Sequence, residues 1–484
     1  MFFEIIQSLD KIAVILMVLI FFLLDYRPPW WKSKETKQPL IVPGPRSIPL
    51  LGTRWLFHFG SYHLNKLHEF YDEMYNLYGP IVKEEVLFNI PVYSIFERAD
   101  IEKVLKAPSK YPIRPPSAAQ ASYRYSRPDR YASAGLVNEQ GEKWHSLRVS
   151  LTANITSPKT MSNFQNEAMD LANDWCSYIK AVREPNGLIQ NINDLVVPLC
   201  IETSCALVLG RRLGFMSPEK VTPESLKLAA ALQDHFVSLR DTQFSLPFWK
   251  FFQTSSYRKM VKSENYIYET VLNMINDFAL NDRENTVYSS IINADIDGRE
   301  KTAAIIDFIA AGIHTLKNSL IFLFYLVAKH PKIQEKIIDD PYYAKASMME
   351  SFRLLPTATP LARILEQDME LACHHLKAGS VVLCHNAIAC KSDKNFEHPD
   401  KFLPERWLGD NKHKTTSMAT FLVTPFGAGK RICPGKRFIE LVLPIFLQKV
   451  VNNFELTTEH ILELENEFLL APKGPVPMFL INRE

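Results

Sequence analysis

One cysteine lies in a setting unlike that of the others. Cys433 sits in the glycine-rich, basic segment FGAGKRICPGKRF (426–438), and an apolar run that predicts a helix follows it. A thiolate at a helix start is stabilised by the helix dipole and by free backbone amides, and glycines let the backbone approach a flat group. Pro434 has no amide hydrogen, so Gly435 and Lys436 must supply the donors. The segment indicates a functional thiolate; a buried cysteine in a glycine turn is the alternative.

The remaining cysteines suggest no metal or disulfide framework. They are scattered along 484 residues, and no Cys-x-x-Cys pair occurs among them. Zinc sites and redox dithiols are therefore poorly supported, and a chain this long does not need a disulfide scaffold. These residues are interpreted as small buried hydrophobes: Cys176, Cys200, Cys205, Cys373, Cys384 and Cys390.

The Cys433 segment resembles the haem-binding signature of the cytochrome P450 family, Phe-x-x-Gly-x-Arg-x-Cys-x-Gly. Phe426, Gly429, Arg431, Cys433 and Gly435 occupy its fixed positions. The resemblance implies haem b as cofactor, with Cys433 as the axial thiolate ligand of the iron. A thiolate pushes electron density onto iron and favours O–O cleavage.

Basic residues offer partners for the two carboxylates of a haem. Lys430, Arg431, Lys436 and Arg437 flank the cysteine, where they would favour the thiolate and bind carboxylates. The segment WHSLR (144–148) matches the family's Trp-x-x-x-Arg. By resemblance Trp144 and Arg148 contact the haem propionates, and Arg363 and Arg431 are further candidates. Each residue taken alone is also compatible with an ordinary surface base.

A charged pair at helical spacing has a structural interpretation. Glu350 and Arg353 are three residues apart, so they share one face of a helix and can pair. An exposed pair of little energetic value is the alternative. In the family such a pair is joined by an arginine from a Pro-Glu-Arg segment, which here makes Arg406 the third member. The triad is predicted to lock the region that holds the cysteine loop.

A long apolar stretch, 302–330, predicts a buried central helix. Its segment AGIHTL (311–316) resembles the family's oxygen-activation stretch. Gly312 and Thr315 can open the helix, and the Thr315 hydroxyl can bond oxygen or water and deliver protons. His314 replaces the usual acid there; a histidine can relay protons near neutral pH, or it can simply pack in the helix.

Within the family the chain resembles the insect ecdysone 20-hydroxylases. Four segments carry this likeness: 123–131, 136–141, 155–158 and 308–320. The implied reaction inserts one atom of O2 at carbon 20 of ecdysone, with electrons that come ultimately from NADPH. Another steroid or lipid substrate is the alternative, as is a haem-binding protein without turnover. Pocket residues are expected within 112–137 and 236–252.

The supporting elements predict a mostly α body with small β-sheets. Apolar spacing of three and four residues predicts helices over 62–77, 162–179, 226–239, 257–282 and 344–355. Strands are expected over 81–86, 91–95, 361–365 and 379–385, the first two as a hairpin. The connection between the central helix and the 344–355 helix is shorter than is usual in the family. A net charge of +2 gives no case for nucleic acid.

The N-terminal region predicts attachment to a membrane. Residues 12–24 are apolar, short for a span, and basic residues with Trp30 and Trp31 follow them. We expect an anchor over 1–27, a proline-rich hinge over 28–49 and one monooxygenase domain over 50–484. The hinge looks microsomal, with NADPH cytochrome P450 reductase as donor, whereas the resemblance is to mitochondrial-type proteins that a ferredoxin feeds. The endoplasmic reticulum and the inner mitochondrial membrane both remain open.

Overall fold

The computed structural model describes residues 41–49, 51–86, 89–152, 155, 157–216, 223–276, 286–411, 415 and 419–483. The expected membrane anchor and most of the proline-rich hinge lie outside these residues. Among the described residues, helices dominate and strands are short. The predicted mostly α fold with small sheets is confirmed.

The described helices follow one another with few strands between them. In chain order they are α1 (Trp55–His58), α2 (Leu67–Tyr78), α3 (Arg98–Lys106), α4 (Ala118–Tyr125), α5 (Gly141–Thr152), α6 (Pro158–Val182), α7 (Asn193–Leu209), α8 (Pro223–Phe244), α9 (Ser255–Asn276), α10 (Val287–Ile292), α11 (Gly298–Ala328), α12 (Pro331–Asp339), α13 (Pro341–Leu354), α14 (Asn386–Cys390) and α15 (Lys436–Asn453).

The strands form small sheets at the edge of the helical body. They are β1 (Ile81–Val86), β2 (Ile90–Ile95), β3 (Leu188–Ile189), β4 (Leu361–Ile364), β5 (Met369–Leu371), β6 (His374–Leu376), β7 (Val381–Cys384), β8 (Phe454–Thr457), β9 (Leu464–Asn466), β10 (Leu470–Pro472) and β11 (Met478–Asn482). The largest sheet has the order β1-β2-β7-β4, and β1 and β2 form the predicted hairpin. The other sheets are β3-β11-β8, β9-β10 and β5-β6.

Helix α11 is the centre of the hydrophobic core. Asp297 caps its start by accepting the amide of Arg299 at 2.8 Å. It packs against α7, in which every residue from Leu195 to Leu209 is buried. The helix is long and apolar enough to cross a membrane, but most of its apolar window is buried inside the protein, as in the core helix of a globular domain.

A glycine sets the distance between α7 and α11. A Cβ atom on Gly312 would lie only 2.7 Å from the Oγ atom of Ser204 and 3.4 Å from its Cβ atom, so a larger residue would require Ser204 to move. Within this region α11 is one uninterrupted α-helix. Close helix packing is therefore the role of Gly312 that the contacts display.

The connection after α11 is compact. Helix α12 follows at Pro331, and Asp340 is the single residue between α12 and α13. The Oδ1 atom of Asp340 accepts the amide of Tyr342 at 2.8 Å and so caps α13. The short segment is thus folded as a helix and joins α13 through a capped turn.

Candidate active site

The cysteine loop runs from Phe426 into α15. Gly427 and Gly429 have φ angles of 76° and 67°, which favour glycine because other residues are strained there. The Cys433 amide donates to the Phe426 carbonyl at 2.8 Å, which closes the loop. As expected, the Gly435 amide points at the Cys433 sulfur, at 3.3 Å. The backbone thus presents the thiol at the N-terminus of α15.

The Lys436 amide has a different role from the one expected. It donates to the Cys433 carbonyl oxygen at 3.4 Å rather than to the sulfur. Burial raises the pKa of the Cys433 thiol, whereas the Gly435 amide and the guanidinium groups of Arg148 and Arg114 lower it. The side chain is nevertheless accessible. The sulfur is therefore surrounded by protein atoms without being covered by them, as a ligand of a bound group must be.

Four arginines surround the approach to Cys433. Burial, together with the like charges of Arg114, Arg363 and Arg148, lowers the pKa of Arg431 to about 9. The pKa of Arg114 is lowered to about 10, first by burial and then by Arg363. Cations crowded in this way repel each other unless an anion lies between them.

Arg431 supplies the test of fit for a haem. Its guanidinium lies 3.8 Å from the centre of the Trp144 ring, and its Nη2 atom donates to Glu139 O and Gln140 Oε1. Its Nη1 atom is buried and has no hydrogen-bond partner within the protein. A buried guanidinium rarely lacks a partner, so the site is suited to an anionic group. The residues present fit the propionates and iron of a haem.

Arg148 and Arg363 brace the cysteine loop. Arg148 Nη2 donates to the Ile432 carbonyl at 2.8 Å, and Arg363 Nη2 donates to the Ala428 carbonyl at 3.0 Å. Trp144 is buried on α5 one turn before Arg148. The structure thus gathers Trp144, Arg148, Arg363 and Arg431, the predicted propionate residues, around one loop.

The sequence analysis did not predict one arginine of the cluster, and it assigned two lysines a role that their contacts do not show. Arg114 belongs to the cluster and donates to the Val137 carbonyl at 2.7 Å, yet an arginine between prolines carries no motif. Lys430 instead turns to the carbonyls of Ser109 and Lys110, and Lys436 lies 3.8 Å from Glu440. The expected contribution of these lysines to the thiolate is not found.

Glu350 is the centre of a buried network. Arg353 donates to both of its carboxylate oxygens, at 3.0 and 2.8 Å, and both side chains are 0% exposed. Arg406 Nε and Trp407 Nε1 donate to the same carboxylate at 3.1 and 2.9 Å. The three residues of the predicted triad therefore meet, and the alternative of an exposed pair is wrong.

The network reaches the cysteine loop through aromatic packing. Phe352, on α13 between Glu350 and Arg353, packs edge-on against Phe426, with ring centres 5.4 Å apart. Arg353 also donates to the carbonyls of Cys390, Pro399 and Lys401. The helix that carries the pair is thus fixed both to the segment before the loop and to the first residue of the loop.

One face of α11 is accessible within the fold. Along this buried helix, Phe308, Gly312 and Thr315 are partly accessible and Ala311 is exposed, and these positions share one helical face. The Thr315 hydroxyl donates to the Ala311 carbonyl at 2.7 Å. Other parts of the protein therefore do not fully cover this face, which carries a hydroxyl.

His314 points to a different side of α11. Only 1% of it is exposed, and its ring stacks on Phe236 of α8, with centres 4.3 Å apart. Its Nε2 atom lies 3.4 Å from Oε2 of Glu467, in the turn between β9 and β10. Burial lowers the pKa of His314, although Glu467 opposes this effect. Neither the packing nor the relay interpretation of His314 anticipated Glu467.

An ion network fixes α4 within the segment expected to form the pocket. Arg124 donates to both carboxylate oxygens of Asp307, at 2.8 and 2.6 Å, and to Glu264 Oε1 at 2.7 Å. Asp307 lies on α11 and Glu264 on α9, so one side chain connects three helices. No spacing along the chain indicates these contacts, because the partners are remote in sequence.

The chain is similar to known proteins along most of its length. The family model described as Cytochrome P450 matches residues 42–478. The chain is 42% identical to Ecdysone 20-monooxygenase of Drosophila melanogaster, over 91% of this chain and 88% of that protein. It is 28% identical to Cytochrome P450 302a1, mitochondrial, of the same species, over 86% and 89%. It is 24% identical to the mouse (Mus musculus) 1,25-dihydroxyvitamin D(3) 24-hydroxylase, mitochondrial, over 93% and 90%.

Proposed function

The chain belongs to the cytochrome P450 family, and on that premise we propose that it hydroxylates ecdysone at carbon 20. It is a haem-thiolate monooxygenase that takes electrons from a redox partner and acts on a lipophilic substrate. The 42% identity to Ecdysone 20-monooxygenase, which extends over 91% of the chain, carries the assignment of ecdysone.

Cys433 would bind the haem iron, and the arginine cluster would bind the haem carboxylates. The accessible sulfur at the start of α15 and the unpaired Nη1 atom of Arg431 support these roles. Trp144 would keep Arg431 in place through its ring face, 3.8 Å from the guanidinium. When bound, the haem supplies the oxidising chemistry that inserts one oxygen atom into a C–H bond.

Thr315 of α11 would hold a proton near the oxygen atom that is inserted into the substrate. Its Oγ atom already donates to the Ala311 carbonyl, on the accessible face of α11. The apolar residues of this face would exclude water and position a steroid. Arg124 would keep α4 against α9 and α11, which closes the pocket around the substrate.

Conversion of ecdysone by the purified, haem-loaded protein tests the proposal. With NADPH and a supplied redox partner, we expect a product one oxygen heavier that matches a 20-hydroxylated standard. Cys433→Ala is the matched inactive control. If the protein binds haem and takes up electrons but forms no product from a panel of steroids, it is not a monooxygenase of these substrates. If it oxidises only a steroid other than ecdysone, the assignment of ecdysone is wrong.

We further propose a small acidic iron–sulfur protein as the electron donor. Lys436 and Arg437 begin α15 directly after Cys433, so positive charge lies beside the thiolate loop. Electrostatic steering of an acidic partner to this surface would weaken as salt screens the charges. Parallel assays with a ferredoxin and with a flavin-containing reductase test this, and faster reduction by the reductase would contradict it.

An apolar surface would hold the protein against a membrane. In the α8–α9 connection Phe251 is 83% exposed, and Phe252 beside it is about half exposed. Leu246 and Phe248 of the same connection pack with Leu51 and Trp55 of the N-terminal segment. Exposed apolar residues on such a surface are suited to lipid contact. Replacement of Phe251 by serine should reduce binding to lipid vesicles without reducing haem content.

A further inference from the structure

Two unpaired polar atoms face each other on the buried side of α11. His314 Nε2 and Glu467 Oε2 are 3.4 Å apart, but neither has an aligned hydrogen-bond partner. Only 1% of His314 and 2% of Glu467 are exposed. A buried polar atom without an aligned partner is destabilising, so two such atoms that face each other make the pair a candidate for a function beyond stability.

The groups around this pair are few and specific. Gln233 of α8 donates to Glu467 Oε1, which leaves Oε2 directed at the histidine. Lys317, one turn along α11, Glu465 of β9 and His235 of α8 are the other titratable groups that interact electrostatically with the pair. Arg240 of α8 donates to the Asn466 carbonyl and so fixes the hairpin on which Glu467 lies.

The protonation of the pair has a definite direction. Burial lowers the pKa of His314 and opposes its positive charge, while Glu467 favours it. Burial raises the pKa of Glu467, but the nearby His314, Lys317 and Gln233 outweigh this effect and hold the pKa below its ordinary value. Near neutral pH the pair is therefore a neutral imidazole beside a carboxylate, and a proton that enters it finds two acceptors 3.4 Å apart.

We propose that Glu467 and His314 share the proton that this chain delivers to the Thr315 side of α11. Glu467 is a positioning residue that acts through His314, and His314 is adjacent in the chain to Thr315. The inference rests on the proposed monooxygenase reaction and does not depend on which steroid is oxidised. Each turnover converts a substrate C–H bond and O2, with two electrons and two protons, into an alcohol and water.

Glu467→Gln is the decisive substitution. Glutamine keeps the shape and the oxygen that accepts from Gln233, so the hairpin should fold, but it cannot hold the proton. With O2, NADPH and a redox partner, we expect the share of electrons recovered as product to fall on the order of tenfold. Hydrogen peroxide already carries both electrons and both protons, so peroxide-driven hydroxylation should be retained. Glu467→Asp should restore part of the loss.

A matched control is available on the same hairpin. Glu463 is exposed and pairs with Lys473 at 2.6 Å, so Glu463→Gln removes a carboxylate without touching the pair. It should leave the share of electrons in product unchanged. If Glu467→Gln recovers the same share of electrons as product as the wild-type protein does, the proposal is wrong. An equal loss with peroxide would also overturn it, because the glutamate would then be structural.

A spectroscopic measurement decides the proposal without turnover. In protein with labelled histidine rings, the His314 resonance is identified by its absence from His314→Asn, and its titration midpoint is then measured by NMR. Loss of the Glu467 charge should lower that midpoint in Glu467→Gln, and an unchanged midpoint would overturn the coupling. If the wild-type protein makes no product with either oxidant, the proposed function fails while this titration still tests the pair.

Discussion

The two sides of the candidate site are held together differently. The thiolate side comprises the 426–438 loop, α13 and the arginine cluster, where guanidinium groups donate to backbone carbonyls such as Ile432 O and Ala428 O. The oxygen side comprises the 311–316 stretch of α11, with α8 and the β9–β10 hairpin. There the backbone bonds are within the helix, and His314 and Glu467 contain unpaired polar atoms.

The difference follows from backbone chemistry. An irregular loop cannot satisfy its own carbonyl groups, so buried side chains must do so and the loop becomes fixed. A helix satisfies its own backbone, and the side chains around it are free to serve other purposes. The thiolate side is therefore expected to respond to substitution mainly through cofactor binding and stability, and the oxygen side through proton transfer.

The largest effect is expected at Cys433. Cys433→Ala should abolish the strongly red-shifted carbon monoxide difference band of the reduced protein and eliminate hydroxylation, since the thiolate ligand is lost. Cys373→Ala is the control: the prediction that Cys373 is buried was wrong, and its side chain is exposed in the β5–β6 turn. A red-shifted band that survives in Cys433→Ala would show that Cys433 is not the thiolate ligand.

The next effect is expected in the buried Glu350 network. Arg353→Ala leaves the Glu350 carboxylate buried without its main partner, which should lower the free energy of unfolding by about 3–5 kcal/mol. Arg406→Ala should be milder, about 1.5–3 kcal/mol, because Arg406 supplies one bond and Arg353 supplies two. Denaturant unfolding of the haem-loaded proteins measures both. Equal losses would show that Glu350 does not depend on Arg353 in particular.

Substitutions at two neighbouring basic residues, Arg431 and Lys430, should affect haem retention differently. Arg431→Ala removes the buried guanidinium and should accelerate haem loss to an acceptor protein on the order of tenfold, equivalent to about 1.4 kcal/mol. Lys430→Ala is the matched control, since its ammonium contacts the Ser109 and Lys110 carbonyls. Similar rates of haem loss in the two variants would argue against a propionate contact for Arg431.

The smallest effect concerns pH and the oxygen side. Burial lowers the pKa of His314 in the folded protein, so the unfolded chain takes up a proton first as pH falls below about 6.5. This contribution to stability is present at higher pH and is lost progressively as the pH falls from that value towards the lowered pKa of the folded state. His314→Gln should therefore lose less stability than wild type between about pH 7 and 5. Thermal unfolding measures this, with exposed His375→Gln as control; parallel pH profiles would contradict it.

Many regular elements were predictable because their signals are local, but α7 was not predicted, since a helix buried on every side shows no alternation of apolar and polar residues. The β1 strand was predicted with its observed bounds, and α11 was predicted over 302–330 and runs from Gly298 to Ala328. The Cys433 motif and the Glu350–Arg353 spacing likewise involve neighbours on one loop or one helical face. Their burial was not predictable, since the same spacing occurs in exposed helices.

The sequence by itself determined the helical body, the haem-binding motif and the family to which the chain belongs. Only the tertiary structure decided which distant charges meet: Arg114 in the arginine cluster, Arg124 with Asp307 and Glu264, and Glu467 with His314. The physical reason is that spacing along a chain specifies neighbours within one element. Contacts between elements depend instead on how apolar faces pack and on which polar groups that packing buries together.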